Sequence, residues 1–223
     1  MLIGLIADVH SNAVALKAVL SALRGSDVEK ILHAGDIIGY NPYPNETIEL
    51  FEENKVLSIR GNHERALLSG DTSGFNPYAA SALEWTRNVI SAKNADYIAG
   101  LKDEEYISIG KKHMFIVHGS PRDFDEYVYP EDAVPEFLSG CDILVLGHTH
   151  IQFIKEYPEG MIVNPGSVGQ PRDGNPGAAF AILDTGSGEI KPGRAGYDIE
   201  KVVEDMLRAH LPENLALRLK LGL

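Results

Sequence analysis

The sequence predicts an α/β fold, a four-layer α/β/β/α sandwich of two mixed sheets packed face to face with helices outside. Three observations predict it. Apolar runs of strand length alternate with helix-spaced runs as far as residue 59, closely spaced strands with tight links begin at Glu105, and no repeat, low-complexity run or linker divides the chain. With 223 residues and 44% hydrophobic content the chain can bury one core, so one domain over 1–223 is expected.

Leu2 to Ala7 reads as a buried strand, and Asn12 is placed to cap a helix whose Val14, Leu16, Val19, Leu20 and Leu23 recur at helical spacing. Lys30 to Ala34 repeats the strand signal. A Pro- and Gly-containing loop over 39–45 leads to a helix at Glu46 to Glu53 and a strand at Val56 to Ile59. This alternation predicts parallel strands with right-handed crossovers, and ligands bound beyond the strands' carboxyl ends.

Residues 75–101 keep a helical period through Ala79, Ala82, Leu83, Thr86 and Ile90. Strands are then expected at 105–109, 113–118, 142–146, 151–157, 160–164 and 178–184, with one helix at 131–138. Gly110-Lys111-Lys112 and Pro158-Glu159-Gly160 suit antiparallel hairpins. A helix over 199–211, capped by Asp198, ends at Pro212. The tail alternates as a strand would through Leu215, Leu217, Leu219, Leu221 and Leu223, but Pro212 before it and Gly222 near its end favour a short helix.

The formal charge of −12 argues against an unaided grip on nucleic acid or an anionic membrane, while still attracting metal cations. Cys141 is the only cysteine, which excludes an intrachain disulfide, a thiolate metal cage and CxxC redox chemistry, and fits a reducing cytoplasm. Its place ahead of a strand marks it as a buried structural thiol rather than a nucleophile. The apolar run at the amino terminus ends at Asp8, with no basic region before it, too short for a signal peptide or a membrane span.

The chemistry gathers at strand ends. Asp8-Val9-His10 turns two ligand side chains to one side of the first strand's edge, and Gly35-Asp36 puts a second carboxylate at the end of the next. Gly61-Asn62-His63-Glu64 follows the third strand, with Asn62 offering a neutral carbonyl oxygen and His63 a proton donor. His118-Gly119-Ser120 and Gly147-His148-Thr149-His150 follow two later strands. Asp8-Val9-His10 and Gly35-Asp36 are each weak alone, since a helix-capping Asp with a surface His and a turn Asp after Gly are the commoner explanations, and a single histidine usually has no ligand role. Jointly they are strong: of eight histidines, His10, His63, His118, His148 and His150 lie directly after expected strands, whereas His33, His113 and His210 do not.

Asp8, His10, Asp36, Asn62, His118, His148 and His150 therefore form a candidate ligand set for two divalent transition-metal ions. Mixed carboxylate, amide and imidazole donors suit Mn, Fe, Co, Ni or Zn better than Ca or Mg. The set is too large for one closed structural zinc site.

In this order and spacing the motifs resemble the calcineurin-like metallophosphoesterase superfamily over residues 1–167. Chain size and Asn164-Pro165-Gly166-Ser167 resemble its small single-domain prokaryotic phosphodiesterase branch. The resemblance implies that Asp8, His10 and His150 hold one metal, that Asn62, His118 and His148 hold the other, and that Asp36 bridges them. His63 is then the non-ligand histidine that stabilises the transition state or protonates the leaving oxygen. Glu64 stands where the family often has Asp. Two such ions about 3.5–4 Å apart acidify a water for in-line attack on a phosphoester.

The resulting expectation is a phosphodiesterase or phosphomonoesterase for a small phosphoester, including a nucleotide, with no nucleic-acid or membrane partner. A protein phosphatase and a catalytically silent scaffold of the same fold are the alternatives, and the complete ligand set speaks against the second. Tyr40, Asn41, Tyr43, Asn76, Tyr78, Arg65, Arg122 and Arg172 are candidates to read the substrate, the arginines through their planar fork.

Overall fold

The structure, a computed structural model, describes residues 1–110 and 112–223. Lys111 of the expected turn lies outside the described residues.

Strand β1 (Leu2–Ile6) pairs in parallel with β2 (Lys30–His33), which pairs in parallel with β3 (Leu57–Ser58). Helices α1 (Ala13–Gly25) and α2 (Pro44–Glu53) make the two crossovers. Asn12 caps α1 as expected, its Oδ1 accepting from Ala15 N at 3.0 Å. On the other side of β1, β9 (Ala178–Asp184) and β10 (Ile190–Ala195) run antiparallel, completing the order β10-β9-β1-β2-β3. The second sheet has the order β4-β5-β6-β8-β7. It contains β4 (Glu104–Ile109), β5 (Lys112–Val117), β6 (Ile143–Val145), β7 (Phe153–Tyr157) and β8 (Gly160–Asn164). β4–β5 and β7–β8 are the expected antiparallel pairs, while β5, β6 and β8 are parallel.

Two mixed five-stranded sheets with flanking helices confirm the expected α/β sandwich. Strand alternation decides which side chains meet between the sheets: Ile3, Leu5 and Ala7 of the β1 segment face Ile116, Ile143, Val145 and Val163 in one buried cluster. Ile6 points the other way, into a cluster with Leu16, Leu20 and Leu23 of α1 and with Ile48 and Phe51 of α2. Each such buried aliphatic side chain contributes about 1.5–3 kcal/mol. The second sheet is covered by the 120–141 segment, which lays Val128, Ala133, Phe137 and Leu138 over Phe115, Val117 and Leu144.

Four local expectations are corrected. Of the helix expected over 131–138, only Pro135–Leu138 forms, as one 3-10 turn. The helical stretch 75–101 is two helices, α4 (Pro77–Val89) and α5 (Ala92–Ala99). The break at Ile90-Ser91 occurs because Ser91 Oγ accepts from Asn94 N and so starts a new helix, while Asn45 bonds both Val89 O and Ser91 N across the gap. Helix α3 (Asn62–Ser69) and strand β10 were not expected. Pro192 and Gly193 disguise β10, yet it is an edge strand, where a missing N–H is tolerated.

At the carboxyl end, α6 (Ile199–Arg208) and α7 (Glu213–Leu221) pack Val202, Met206, Leu215 and Leu219 against Tyr40 and α4. The tail is thus the favoured helix, stopped by Gly222 at φ 65°. Among the described residues no helix is long and apolar enough to cross a membrane.

Candidate metal centre

The carboxyl ends of β1, β2, β3, β5 and β6 converge at one edge of the sandwich. All seven expected ligands and His63 meet there, each 6% exposed or less apart from the partly buried Asn62. Asp8 and His10 follow β1, Asp36 follows β2, and Asn62 and His63 open α3 just past β3. His118 follows β5, while His148 and His150 lie past β6.

Backbone strain is concentrated at the same edge. Asp8, His10, Ser11, Asp36, Tyr40, His148 and His150 all adopt positive φ, between 47° and 68°. For residues other than glycine this conformation costs about 1–2 kcal/mol each. It is held by the main-chain bonds Asp8 N to Gly35 O, His10 N to Asp36 O and Ser11 N to Ile37 O, at 2.7–3.0 Å, which tie the two strand ends together. Glu64, the third residue of α3, braces the same loops. Its carboxylate accepts from Asp36 N at 2.9 Å, Ile38 N at 3.1 Å and Gly61 N at 2.7 Å. Gly61 is required here, since a Cβ would come within 2.1 Å of Asp36 Oδ1.

Hydrogen bonds set the histidine tautomers. Nδ1 of His10 lies 3.0 Å from Ile38 O and Nδ1 of His150 lies 2.6 Å from Gln170 O; a carbonyl only accepts, so each Nδ1 carries the proton. The two Nε2 atoms are then bare lone pairs, yet they face each other at 3.0 Å. Burial drives both imidazoles well below their usual pKa, so protonation does not relieve the contact. Asp8 Oδ1 stands 3.5 Å from His150 Nε2. These three donor atoms, aimed at one point, could hold a cation, and the donor set fits a divalent metal.

A second group lies alongside. His118 bonds Ala34 O through Nδ1 at 2.8 Å and turns Nε2 toward Asn62 Oδ1 and His148 Nδ1, both at 3.1 Å. Asp36 Oδ2 sits between the groups, 3.4 Å from His118 Nε2 and 3.6 Å from His10 Nε2, while its Oδ1 accepts from His63 N. By distance, Asp8, His10 and His150 could hold one ion, and Asp36, His118 and His148 another. His63 also falls within ligand distance of His10 and Asp36.

The two carboxylates are pushed apart. Burial raises Asp8 to about 8. Burial lifts Asp36 too, but His118, His63 and His10 around it outweigh that and hold it well below the carboxylate range. Burial lowers His118, yet Asp36 and Asp8 bring it up to about 9, whereas burial leaves His63 at about 4 and His148 at about 3. Concentrated negative charge at Asp36 is what a positive ligand requires.

The model of the calcineurin-like phosphoesterase superfamily domain matches residues 1–188. This chain belongs to that superfamily. It is a metallophosphoesterase, a hydrolase of phosphoric esters whose family implies divalent metal ions. An uncharacterized protein of Methanocaldococcus jannaschii is 38% identical over 241 residues, covering 99% of this chain and 98% of its own. The crystal structure of a metallophosphoesterase from Sphaerobacter thermophilus superposes with a TM-score of 0.85 at 34% identity, covering 100% of this chain and 99% of that one. The phosphodiesterase YfcE of Escherichia coli is 24% identical over 187 residues, 79% of this phosphoesterase and 84% of its own length.

The candidates for substrate reading separate sharply. Tyr40 lies edge-on against His10, ring centroids 4.5 Å apart, and Arg172 donates to its hydroxyl at 3.2 Å. Asn41 is a buried brace on His10 O, and Tyr43 donates to Asp205. Arg65 and Arg122 are engaged with acids, Arg65 with Asp103 and Asp125 and Arg122 with Glu126. Asn76 caps α4, and Tyr78 lies beside it on that helix. Tyr127, whose ring contacts His148, and Gln170, whose carbonyl orients His150, were missed. Neither lies in a motif; only the fold brings them to the centre.

Proposed function

We propose that residues 1–223 work as one domain that hydrolyses a small phosphodiester at a dinuclear centre of divalent transition-metal ions. The observation that carries this reading is the pair of bare Nε2 atoms of His10 and His150 at 3.0 Å, beside an Asp36 carboxylate shared with His118. Asp8, His10 and His150 would hold one ion, Asn62, His118 and His148 the other, and Asp36 both. Mn, Fe, Co, Ni and Zn all suit this donor set. When bound, two such ions acidify a water, orient the phosphoryl group and offset charge on the attacking and leaving oxygens.

The chain's own residues do the rest. The carbonyls of Ile38, Gln170 and Ala34 fix which nitrogen His10, His150 and His118 present. Burial of the centre excludes bulk water. His63, lodged against Gly39 through Nδ1, turns Nε2 toward the Asp36 side at 4.0 Å, from where its neutral imidazole N–H donates a hydrogen bond to a phosphoryl or leaving oxygen. The acidic chain favours a small substrate over a polynucleotide, and its single cysteine fits the cytoplasm. Diester cleavage is supported by the similar phosphodiesterase of Escherichia coli.

The test is a panel of bis-p-nitrophenyl phosphate and p-nitrophenyl phosphate with protein loaded with Mn²⁺, Ni²⁺ or Zn²⁺. Turnover of the diester above the monoester is expected. No turnover with any ion sinks the proposal, and a faster monoester converts it to a phosphomonoesterase.

A further inference from the structure

Exposed aromatic side chains are scarce in this protein and unevenly placed. Among the described residues five aromatic side chains are exposed, and three of them, Phe124, Tyr127 and Tyr129, belong to one short stretch of the segment covering the second sheet. Single exposed aromatics are ordinary, but one of these three packs directly on a residue of the candidate centre. The Tyr127 ring lies 3.9 Å from the His148 ring, centroid to centroid, tilted by 34°. His148 is only 6% exposed while Tyr127 is 50% exposed, so the Tyr127 ring reaches from the buried cluster to solvent. The Tyr129 ring lies nearly parallel to it, with centroids 6.3 Å and planes 14° apart.

The stretch is held in place. Ser120 N donates to Asp123 O at 2.8 Å, Arg122 Nε donates to Glu126 at 2.8 Å, and Arg65 pairs with Asp125 while its guanidinium lies over Phe124. Gly119 permits this close turn, since a Cβ would meet Phe124 O at 2.6 Å. A rigid, wet aromatic face costs little entropy to use.

We propose that Tyr127, with the nearly parallel ring of Tyr129 beside it, is the platform on which the retained ester substituent of the substrate stacks, so that the substrate class is phosphodiesters carrying a flat aromatic group. The inference rests on the phosphodiesterase reading above. The retained group, rather than the leaving one, is assigned here because the ring contacts of His63, which serves the leaving oxygen, are with His10, Tyr40 and Phe75, whereas Tyr127 packs on His148. A nucleobase and a simple aryl ring share the required chemistry, since each offers a π-face to the tyrosine.

Three diesters that release the same p-nitrophenolate test it: methyl p-nitrophenyl phosphate, bis-p-nitrophenyl phosphate and thymidine 5′-(p-nitrophenyl phosphate). With wild-type, metal-loaded protein, one or both aromatic diesters should show a KM about tenfold below that of the methyl ester. A gain for the thymidine ester alone identifies a base, and a gain for both identifies any aryl ring. Tyr127→Phe should keep the preference and Tyr127→Ala should erase it, with thermal melting confirming that both variants are folded. Equal KM values in the wild type, or a preference that survives Tyr127→Ala, overturn the proposal. Calorimetric titration with thymidine 5′-monophosphate and methyl phosphate reads the platform without turnover. If none of the diesters is cleaved but the nucleotide still binds about tenfold tighter in a Tyr127-dependent way, the platform stands and the phosphodiesterase reading falls.

Discussion

The Nε2 atoms of His10 and His150 face each other at 3.0 Å, each stripped of a proton by the carbonyl that its own Nδ1 serves. Two lone pairs do not attract, so a cation held by both Nε2 atoms would make this contact favourable. Metal binding should therefore stabilise the fold measurably. At a hundred times the dissociation constant a ligand adds about 2.7 kcal/mol. For a chain of this size that raises the melting temperature by roughly 5–10 °C. Differential scanning fluorimetry with and without chelator checks it; indistinguishable melting curves would remove the metal from the cluster.

Asp36 links the two histidine groups, its Oδ2 within 3.6 Å of both His10 Nε2 and His118 Nε2. Asp36→Asn keeps the shape but replaces a shared anion by a neutral oxygen. The expected result is loss of both ions by elemental analysis and a fall in kcat/KM of more than about a hundredfold, beyond what an outer-shell partner costs. A variant that retains two tightly bound ions rejects the sharing of this carboxylate.

The sequence made most of this cluster legible because its candidate ligands sit immediately after apolar strands, and strand ends are where parallel sheets present side chains to a ligand. Asp8, Asp36, His118 and His148 are read that way. His63 was placed by its motif, but the short helix α3 that orients it was not seen, since eight residues opened by a glycine carry little periodic signal. β10 was hidden by Pro192 and Gly193, which local rules assign to a turn and which only an edge position makes tolerable. Tyr127 was invisible for a different reason: its contact with His148 spans two elements of the second half and leaves no pattern in either.

His33 lies under the centre rather than in it, wholly buried, with Nδ1 2.8 Å from Ser58 Oγ and its ring edge-on to Phe51. Burial lowers its pKa to about 3, so the folded protein keeps it neutral where the unfolded chain, with an ordinary value near 6.5, already binds a proton. The stabilising effect of staying neutral is therefore complete above the unfolded value and is lost as pH falls from about 6.5 toward 3, at up to about 1.4 kcal/mol per pH unit. His33→Gln should be less stable than wild type at pH 7.5 but lose less stability on going to pH 5, by roughly 2 kcal/mol. Urea unfolding at the two pH values measures the difference, and parallel losses in both proteins contradict the assignment.

Gly39 and His63 share a space that only a glycine permits. At φ +96° a Cβ on Gly39 would meet His63 Nδ1 at 2.1 Å, so Gly39→Ala must strain the loop, displace the imidazole, or both. His63→Ala should lower kcat by about a hundred- to a thousandfold with metal content intact, the range expected for a lost hydrogen-bond donor to developing charge. Gly39→Ala should mimic part of this, on the order of a hundredfold, because misplacing a reacting group by about 1 Å is enough. The two effects should not add: in a His63→Ala background Gly39→Ala has no imidazole left to move and should cost little further activity. Steady-state kinetics on the two single variants and the double variant decide it. Full additivity would mean that Gly39 acts on the loop or the metals directly, and loss of metal in His63→Ala would make His63 a ligand.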